Sequence, residues 1–164
     1  MGAEKSFQKY KLNTIEIVNY SPKYDYSFYE LNKSRIEEFW TLEESDLKDL
    51  LKPRESIIGL GGEIFFVLVN NLAVGTAAMI PFPNNKIELA KMTVQKKYRG
   101  KGLSKKLLEK CINYAIASKA KEIFLISNSR LLSARKLYDN FGFIEVDLDS
   151  NKYIRGNYKM VLKL

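Results

Sequence analysis

The 164-residue chain contains no histidine and a single cysteine. Without histidine, every Ser-His, Cys-His and His-metal mechanism is excluded, so any catalysis rests on carboxylates, tyrosines, lysines, serines, backbone groups or a cofactor. Cys111 alone supports neither an intrachain disulfide nor a Cys-x-x-Cys zinc or redox motif, which predicts a reducing compartment and no metal. Long apolar runs are missing too. The longest, Ile64 to Val69, is strand-sized, against about 18 residues for a membrane span, and the N-terminus has no hydrophobic signal core. A cytoplasmic protein away from the membrane is the expectation. Gly2 after Met1, with Ser6 in place, matches a loose myristoylation pattern, but no second anchoring signal accompanies it. With no Pro- or Gly-rich linker and no internal repeat, the chain reads as one domain over 1–164, with 1–12 a loosely ordered tail.

Charge is plentiful and unevenly placed. The net charge is +8, yet the segment Lys86 to Lys121 holds eleven basic residues against Glu88 and Glu109, or +9, leaving the remainder near −1. Such a local patch suits an anionic partner: nucleic acid, a membrane surface or a phosphorylated cofactor. The acidic run Glu43, Glu44, Asp46 and Asp49 is a candidate attractor for a cationic amine, although Thr41 to Glu44 also reads as a helix capping box.

The hydrophobic pattern gives the order β-α-α-β-β-β-α-β-α-β-β, an α/β mixture with a mostly antiparallel sheet and at least one crossover helix. Thr14 to Tyr20 alternates as a first strand. Phe28, Leu31, Ile36 and Phe39 recur at helical spacing, and a second helix with Leu47, Leu50 and Leu51 ends at Pro53. Glu63 to Val69 and Leu72 to Ile80 flank Asn70-Asn71, a two-residue hairpin connection in which asparagine tolerates positive φ. Lys86 to Val94 changes phase part-way: Ile87 and Leu89 are apolar at odd positions, Ala90, Met92 and Val94 at even ones. One inserted residue near Leu89 or Ala90, a β-bulge, reconciles the halves. A helix with Leu103, Leu107, Leu108, Cys111, Ile112 and Ala115 on one side follows. Then come the strand Ile123 to Ile126, a helix through Leu131, Ala134, Leu137, Tyr138 and Phe141 that stops at Gly142, and closing strands Phe143 to Leu148 and Tyr158 to Leu164. Cys111 lies on an apolar stripe and reads as an inert core residue.

The stretch Gln95-Lys96-Lys97-Tyr98-Arg99-Gly100-Lys101-Gly102-Leu103-Ser104 joins a strand to a helix. Two glycines at a helix mouth let backbone N–H groups converge where the helix dipole is positive, which makes a site for phosphate or pyrophosphate. The P-loop pattern is absent, and Lys105 stands where a dinucleotide fingerprint needs its third glycine. The residues alone lead as far as a phosphate-bearing cofactor.

Here the sequence resembles the GNAT superfamily of N-acetyltransferases, whose acetyl-CoA loop follows Arg/Gln-x-x-Gly-x-Gly/Ala. Arg99, Gly102 and Ser104 occupy the defining positions, Ser104 replacing the last small residue. Glu88-Leu89-Ala90-Lys91-Met92-Thr93-Val94 is similar to the preceding family strand. Asn128, Ala134, Leu137-Tyr138 and Gly142-Phe143 resemble the segment Asn…Ala-x-x-Leu-Tyr-x-x-x-Gly-Phe. Tyr153-x-Arg155…Met160-x-Leu162 resembles the close of one bacterial-type branch of small single-domain members. The likeness covers 85–164 closely and the N-terminal half by element order alone.

The resemblance implies the GNAT fold, a mixed, mostly antiparallel sheet of about seven strands with about four helices. It further implies transfer of acetyl from acetyl-CoA to a primary amine, on a small molecule or a peptide, within a ternary complex and without metal, by a monomer or homodimer. Glu88 resembles the general base; otherwise it is a strand carboxylate paired with Lys86 or Lys91. Tyr138 resembles the general acid, and its ring can also be core. Met92, Thr93 and Val94 on the strand, the loop residues Arg99, Gly100, Lys101, Gly102, Leu103 and Ser104, and Asn128 and Ala134 are the implied cofactor-binding set. Asn128 has a turn role as its alternative. Two other readings stand beside this one: a nucleic-acid-binding module using the basic patch, disfavoured because the patch lacks interleaved aromatics, and a CoA-binding domain without catalysis.

Overall fold

The computed structural model describes residues 13–149 and 154–164. The tail 1–12, with the Gly2/Ser6 pattern, and Tyr153 lie outside the described residues. The elements are β1 (Ile15–Asn19), α1 (Asp25–Glu37), α2 (Glu44–Leu51), α3 (Pro53–Ser56), β2 (Glu63–Val69), β3 (Leu72–Phe82), β4 (Lys86–Val94), α4 (Leu103–Ala117), β5 (Glu122–Ser127), α5 (Leu132–Asn140), β6 (Ile144–Val146) and β7 (Tyr158–Lys163). They form an α/β fold around one seven-stranded sheet in the order β1-β2-β3-β4-β5-β7-β6. All neighbours are antiparallel except β4 and β5, which run parallel and are joined by the crossover helix α4.

Both faces of the sheet are buried, which is why β2 reads as an unbroken apolar run. Its odd residues Phe65 and Val67 join Met79, Ile87 and Leu89 against Leu107, Leu108 and Cys111 of α4. Its even residues Ile64, Phe66 and Leu68 join Ala78, Ile80 and Ala90 against Phe28 of α1, Leu50 of α2 and Ile57. The hairpin between β2 and β3 turns on Asn70 and Asn71 at φ 50° and 66°, as the dipeptide predicts. Among the described residues no helix is long and apolar enough to cross a membrane.

The phase change in β4 is a bulge. Thr76 pairs with Thr93 and Ala78 with Ala90, so Ala77 alone faces Lys91 and Met92. The extra residue therefore lies one or two positions later than the pattern places it. Lys91 holds φ +53°. As a result Ile87, Leu89 and Val94 share one core while Ala90 belongs to the other.

The capping box also moves. It is built by Glu43 and Asp46, the Glu43 N–H donating to Asp46 at 2.9 Å, and not by Thr41 and Glu44. Asp46 can hold this place because it is fixed by partners that no local pattern shows. Pro53 does not simply end α2; it opens the single turn α3, where its missing N–H costs nothing. That turn is the helix beyond the four expected.

The close packing beneath α3 makes a test of the fold. A Cβ on Gly62 would lie 2.6 Å from the Met79 carbonyl oxygen and 2.9 Å from that of Ile57. Gly62→Ala is expected to cost about 1–3 kcal/mol by overpacking, read from urea denaturation. An unchanged midpoint would show that this backbone yields freely.

Candidate functional site

β4 and β5 pair only over Lys86–Glu88 and Glu122–Phe124. Beyond that rung the strands part, the bulge at Lys91 bending β4 away. β5 continues antiparallel to β7 over its full length. A groove thus opens through the middle of the sheet, and β4 from Leu89 to Met92 faces a cavity of about 130 Å³, while Thr93 and Val94 lie beyond its lining. Met92, Asn128, Ala134 and Tyr138 line this cavity together, so four of the residues singled out by the motifs converge. α1 and the turn after it add Asn32, Arg35, Ile36 and Trp40.

Tyr138 is 7% exposed, and its ring lies 5.7 Å from that of Phe143. Its hydroxyl makes no hydrogen bond to another described residue, while burial, with a smaller contribution from Tyr158, pushes its pKa up. The phenol is therefore protonated across the whole neutral range. Glu88 is 5% exposed at the last rung before the split, in register with Ile80 on β3 and Phe124 on β5. Alternation with Leu89 places it on the α1–α2 face, opposite the face where Tyr138 packs. Cys111 is fully buried in the core, as its place on the apolar stripe predicts, and burial drives its thiol pKa up.

At the far end of β4, Gly100 and Gly102 adopt φ +75° and +77° and lead into α4, with Gly102 as its N-cap. A Cβ at either glycine would meet nothing within 4 Å. The helix mouth is consequently open, with Lys105 and Lys106 and no acidic residue in its first turn. Arg99 does not turn into this space. Its Nε donates to the Val94 carbonyl at 2.8 Å, and its guanidinium grips both oxygens of Glu38 at 2.6 and 3.2 Å. The Arg99 hydrogen bond holds the Glu38 carboxyl below the usual range, against the effect of burial. This tie anchors the end of α1 to the loop.

Asn128 builds the other wall. Its Oδ1 accepts from the Arg130 N–H at 2.9 Å and its Nδ2 donates to the Arg155 carbonyl at 2.6 Å. The side chain thus makes the turn after β5 and fastens the segment before β7. Across the mouth, the Arg130 guanidinium stacks 4.9 Å from the Phe39 ring and 5.8 Å from Trp40.

The sequence gives little sign of the ion network at this rim. Asp46, whose side chain has no exposed surface, accepts from Lys91 at 2.7 Å and from Arg155 at 2.6 and 2.8 Å. Arg155 also reaches Glu43 at 2.5 Å. Burial would raise the Asp46 pKa, but the Arg155 and Lys91 hydrogen bonds and the Lys91 charge overcome it and hold the carboxyl far below its ordinary range. Asp46 and Asp49 are both buried. The acidic run is thus turned inward in part, and Asp46 serves the fold as a counter-ion. Lys86 pairs with Glu122 at 3.1 Å. Among the described residues no cluster of three or more His, Cys, Asp or Glu could hold a metal.

The chain is similar to known proteins in sequence and in fold. The profile of the acetyltransferase (GNAT) family matches residues 25–143. A GNAT-family acetyltransferase structure from Staphylococcus aureus Mu50 is 28% identical, with a TM-score of 0.84 over 92% of this chain and 99% of that one. An acetyltransferase structure from Salmonella typhimurium, described with its cofactor acetyl-CoA, shares the fold at 18% identity, with a TM-score of 0.75 over 92% of this chain and 94% of that one. The N-acetylaspartate synthetase of Homo sapiens is 32% identical over 84 residues, 50% of this chain. The match spans only 28% of that relative's length.

The rim network has a pH signature. Asp46→Asn leaves Lys91 and Arg155 without their shared charge and is expected to cost about 3–5 kcal/mol. Because the folded pKa is depressed, the stabilisation is complete above the unfolded carboxylate value of about 3.9 and is lost as pH falls toward the folded value. Denaturation of both proteins from pH 8 to 2 should show a constant difference that shrinks below about pH 4. A difference that stays constant to pH 2 would contradict the assignment.

Proposed function

The chain is a member of the GNAT acetyltransferase family, and from that premise we propose that it moves an acetyl group from acetyl-CoA to a primary amine by direct attack within a ternary complex. The observation that carries this reading is the groove between β4 and β5, with the glycine mouth of α4 at one end and the protonated hydroxyl of Tyr138 in its wall. The residues present fit a CoA-type group. Open space over Gly100 and Gly102 admits a pyrophosphate to the N–H groups of Lys101 to Ser104 and the α4 mouth. The edge of β4 past Leu89, with no strand beside it, suits a pantetheine arm adding alongside Met92, Thr93 and Val94 as a strand would. Ala134 leaves room opposite. The role assigned here to Arg99 is to hold the loop to Glu38, and that of Asn128 to shape the wall.

Bound acetyl-CoA supplies an activated acetyl group on a thiol that leaves readily. An acceptor ammonium, with a reference pKa of about 10.4, attacks only after losing a proton, and Glu88, which does not itself line the cavity, is assigned to take it through water. Backbone N–H groups of the bulged strand at Lys91 and Met92 are assigned to hold the developing negative oxygen, since the bulge frees this stretch from regular pairing. Tyr138 is assigned to give its Oη proton to the departing sulfur. Its raised pKa keeps that proton in place up to alkaline pH. Acid and base on opposite faces of the sheet meet only through the split, which supports an acceptor arriving from the α1–α2 side.

Two variants test the reading. Tyr138→Phe keeps the ring and the core and deletes the hydroxyl, so kcat should fall by about 10²-fold, the lower end for general acid catalysis because a thiolate leaves partly unaided. KM for acetyl-CoA should change little, whereas kcat within about twofold of wild type would make Tyr138 a packing residue. Gly102→Asp sends a carboxylate into the open helix mouth, at a backbone strain of about 1–3 kcal/mol from the positive φ. It should abolish CoA binding in calorimetry while circular dichroism reports a folded chain. Unchanged affinity would put the cofactor elsewhere.

A further inference from the structure

The groove wall has a polarity that the acidic run in the sequence does not suggest. Among the described residues, Arg35, Lys91 and Arg155 line the cavity and no aspartate or glutamate does. The carboxylates of the rim stand behind these cations. Asp46 is fully covered between Lys91 and Arg155, Glu43 grips Arg155, and Glu38 holds Arg35 at 2.9 Å. Resting on the acetyl-transfer reading, we propose that the acceptor carries a carboxylate within a few bonds of its amine, as an α-amino acid does, and that Arg155 and Arg35 receive this carboxylate at the groove.

First, the Arg155 guanidinium is held from behind by two acids and its carbonyl is fastened by Asn128. A planar cation fixed in this way meets a carboxylate without losing further side-chain freedom. Arg155 and Lys91 keep their partners, and the ligand adds to the network. Second, although each cation is paired, the cavity meets the cations and not their counter-ions, so a bare ammonium finds donors there and no carboxylate acceptor. A carboxylate on the same molecule meets those donors. A diamine brings a second positive charge and no compensation. Third, three acids of the run are engaged, Asp46 and Asp49 by burial and Glu43 by Arg155, and the exposed Glu44 does not line the cavity. A polyamine would call for acids in the lining, and the described residues of this cavity supply none.

The test uses the full chain with saturating acetyl-CoA and follows thiol release for L-aspartate and its diamide, L-alanine and its carboxamide, and putrescine. Each acid should exceed its own carboxamide in kcat/KM by about tenfold or more, the range of a charge-assisted contact, with putrescine lowest. Arg35→Gln, at a partly buried position whose partner Glu38 retains Arg99, should raise KM for the acids by about tenfold and leave KM for acetyl-CoA within about threefold. Arg155→Lys, which keeps the charge but not the fork, should raise the same constant. Carboxamides or putrescine turned over as well as the acids would overturn the inference and leave the acetyl-transfer reading intact. An acid preference untouched by both variants would overturn the assignment to these arginines. If nothing in the panel is turned over, melting of the CoA-bound protein decides. A rise with the acids but not the carboxamides supports the inference and counts against the catalytic reading alone, and no rise overturns it.

Discussion

The parting of β4 from β5 is the constraint on which the rest depends. Parallel strands held by three rungs at one end, Lys86 to Glu88 against Glu122 to Phe124, cannot stay paired when one of them kinks. The kink is the two-against-one bulge at Lys91 and Met92. It requires Lys91 at φ +53°, a conformation costing a non-glycine residue about 1–3 kcal/mol. The buried Asp46 carboxylate, 2.7 Å from the Lys91 ammonium, offsets that cost by fixing the side chain, so α2 is anchored to the point where the sheet opens.

Two separate charge systems divide the work along this split. The lysines around the α4 mouth are exposed and unopposed by acid in the first helical turn, a diffuse positive field suited to a phosphate group at the surface. The rim network is the opposite case: charges withdrawn from water and paired closely, where removing one member leaves another uncompensated. Asp46 unites the α2 capping box, the bulge and Arg155. Because it does so, the segment before β7 is held at the groove. The net charge of the chain reports neither arrangement, since it sums both.

A chain without histidine must move protons with groups whose ordinary pKa values lie far from neutrality. Burial deepens this for Tyr138, which stays protonated and faces the cavity with its hydroxyl uncommitted to other described residues. The same physics silences Cys111, raised in pKa but enclosed in the α4 core. What separates a candidate proton donor from an inert thiol is the groove beside one and the packing around the other.

Patterns of short range in the sequence determined much of this protein. Alternation and helical spacing located the strands and helices, Asn70-Asn71 the hairpin, the phase slip in Lys86 to Val94 the bulge to within two residues, and Gly100 and Gly102 the helix mouth. These are properties of backbone period and steric permission, which neighbouring residues decide among themselves. Thr41 to Glu44 fitted a capping pattern equally well, yet Glu43 and Asp46 form the cap, because Asp46 is held by Lys91 and Arg155, 45 and 109 residues away. The acidic run read as an open lure for a cation, and burial turned Asp46 and Asp49 inward. Arg99, conspicuous in its motif, is engaged with Glu38 across 61 residues. Which carboxylate meets which cation, and whether water reaches either, is set by chain folding that brings distant segments to one rim, and no local pattern of residue types carries that information.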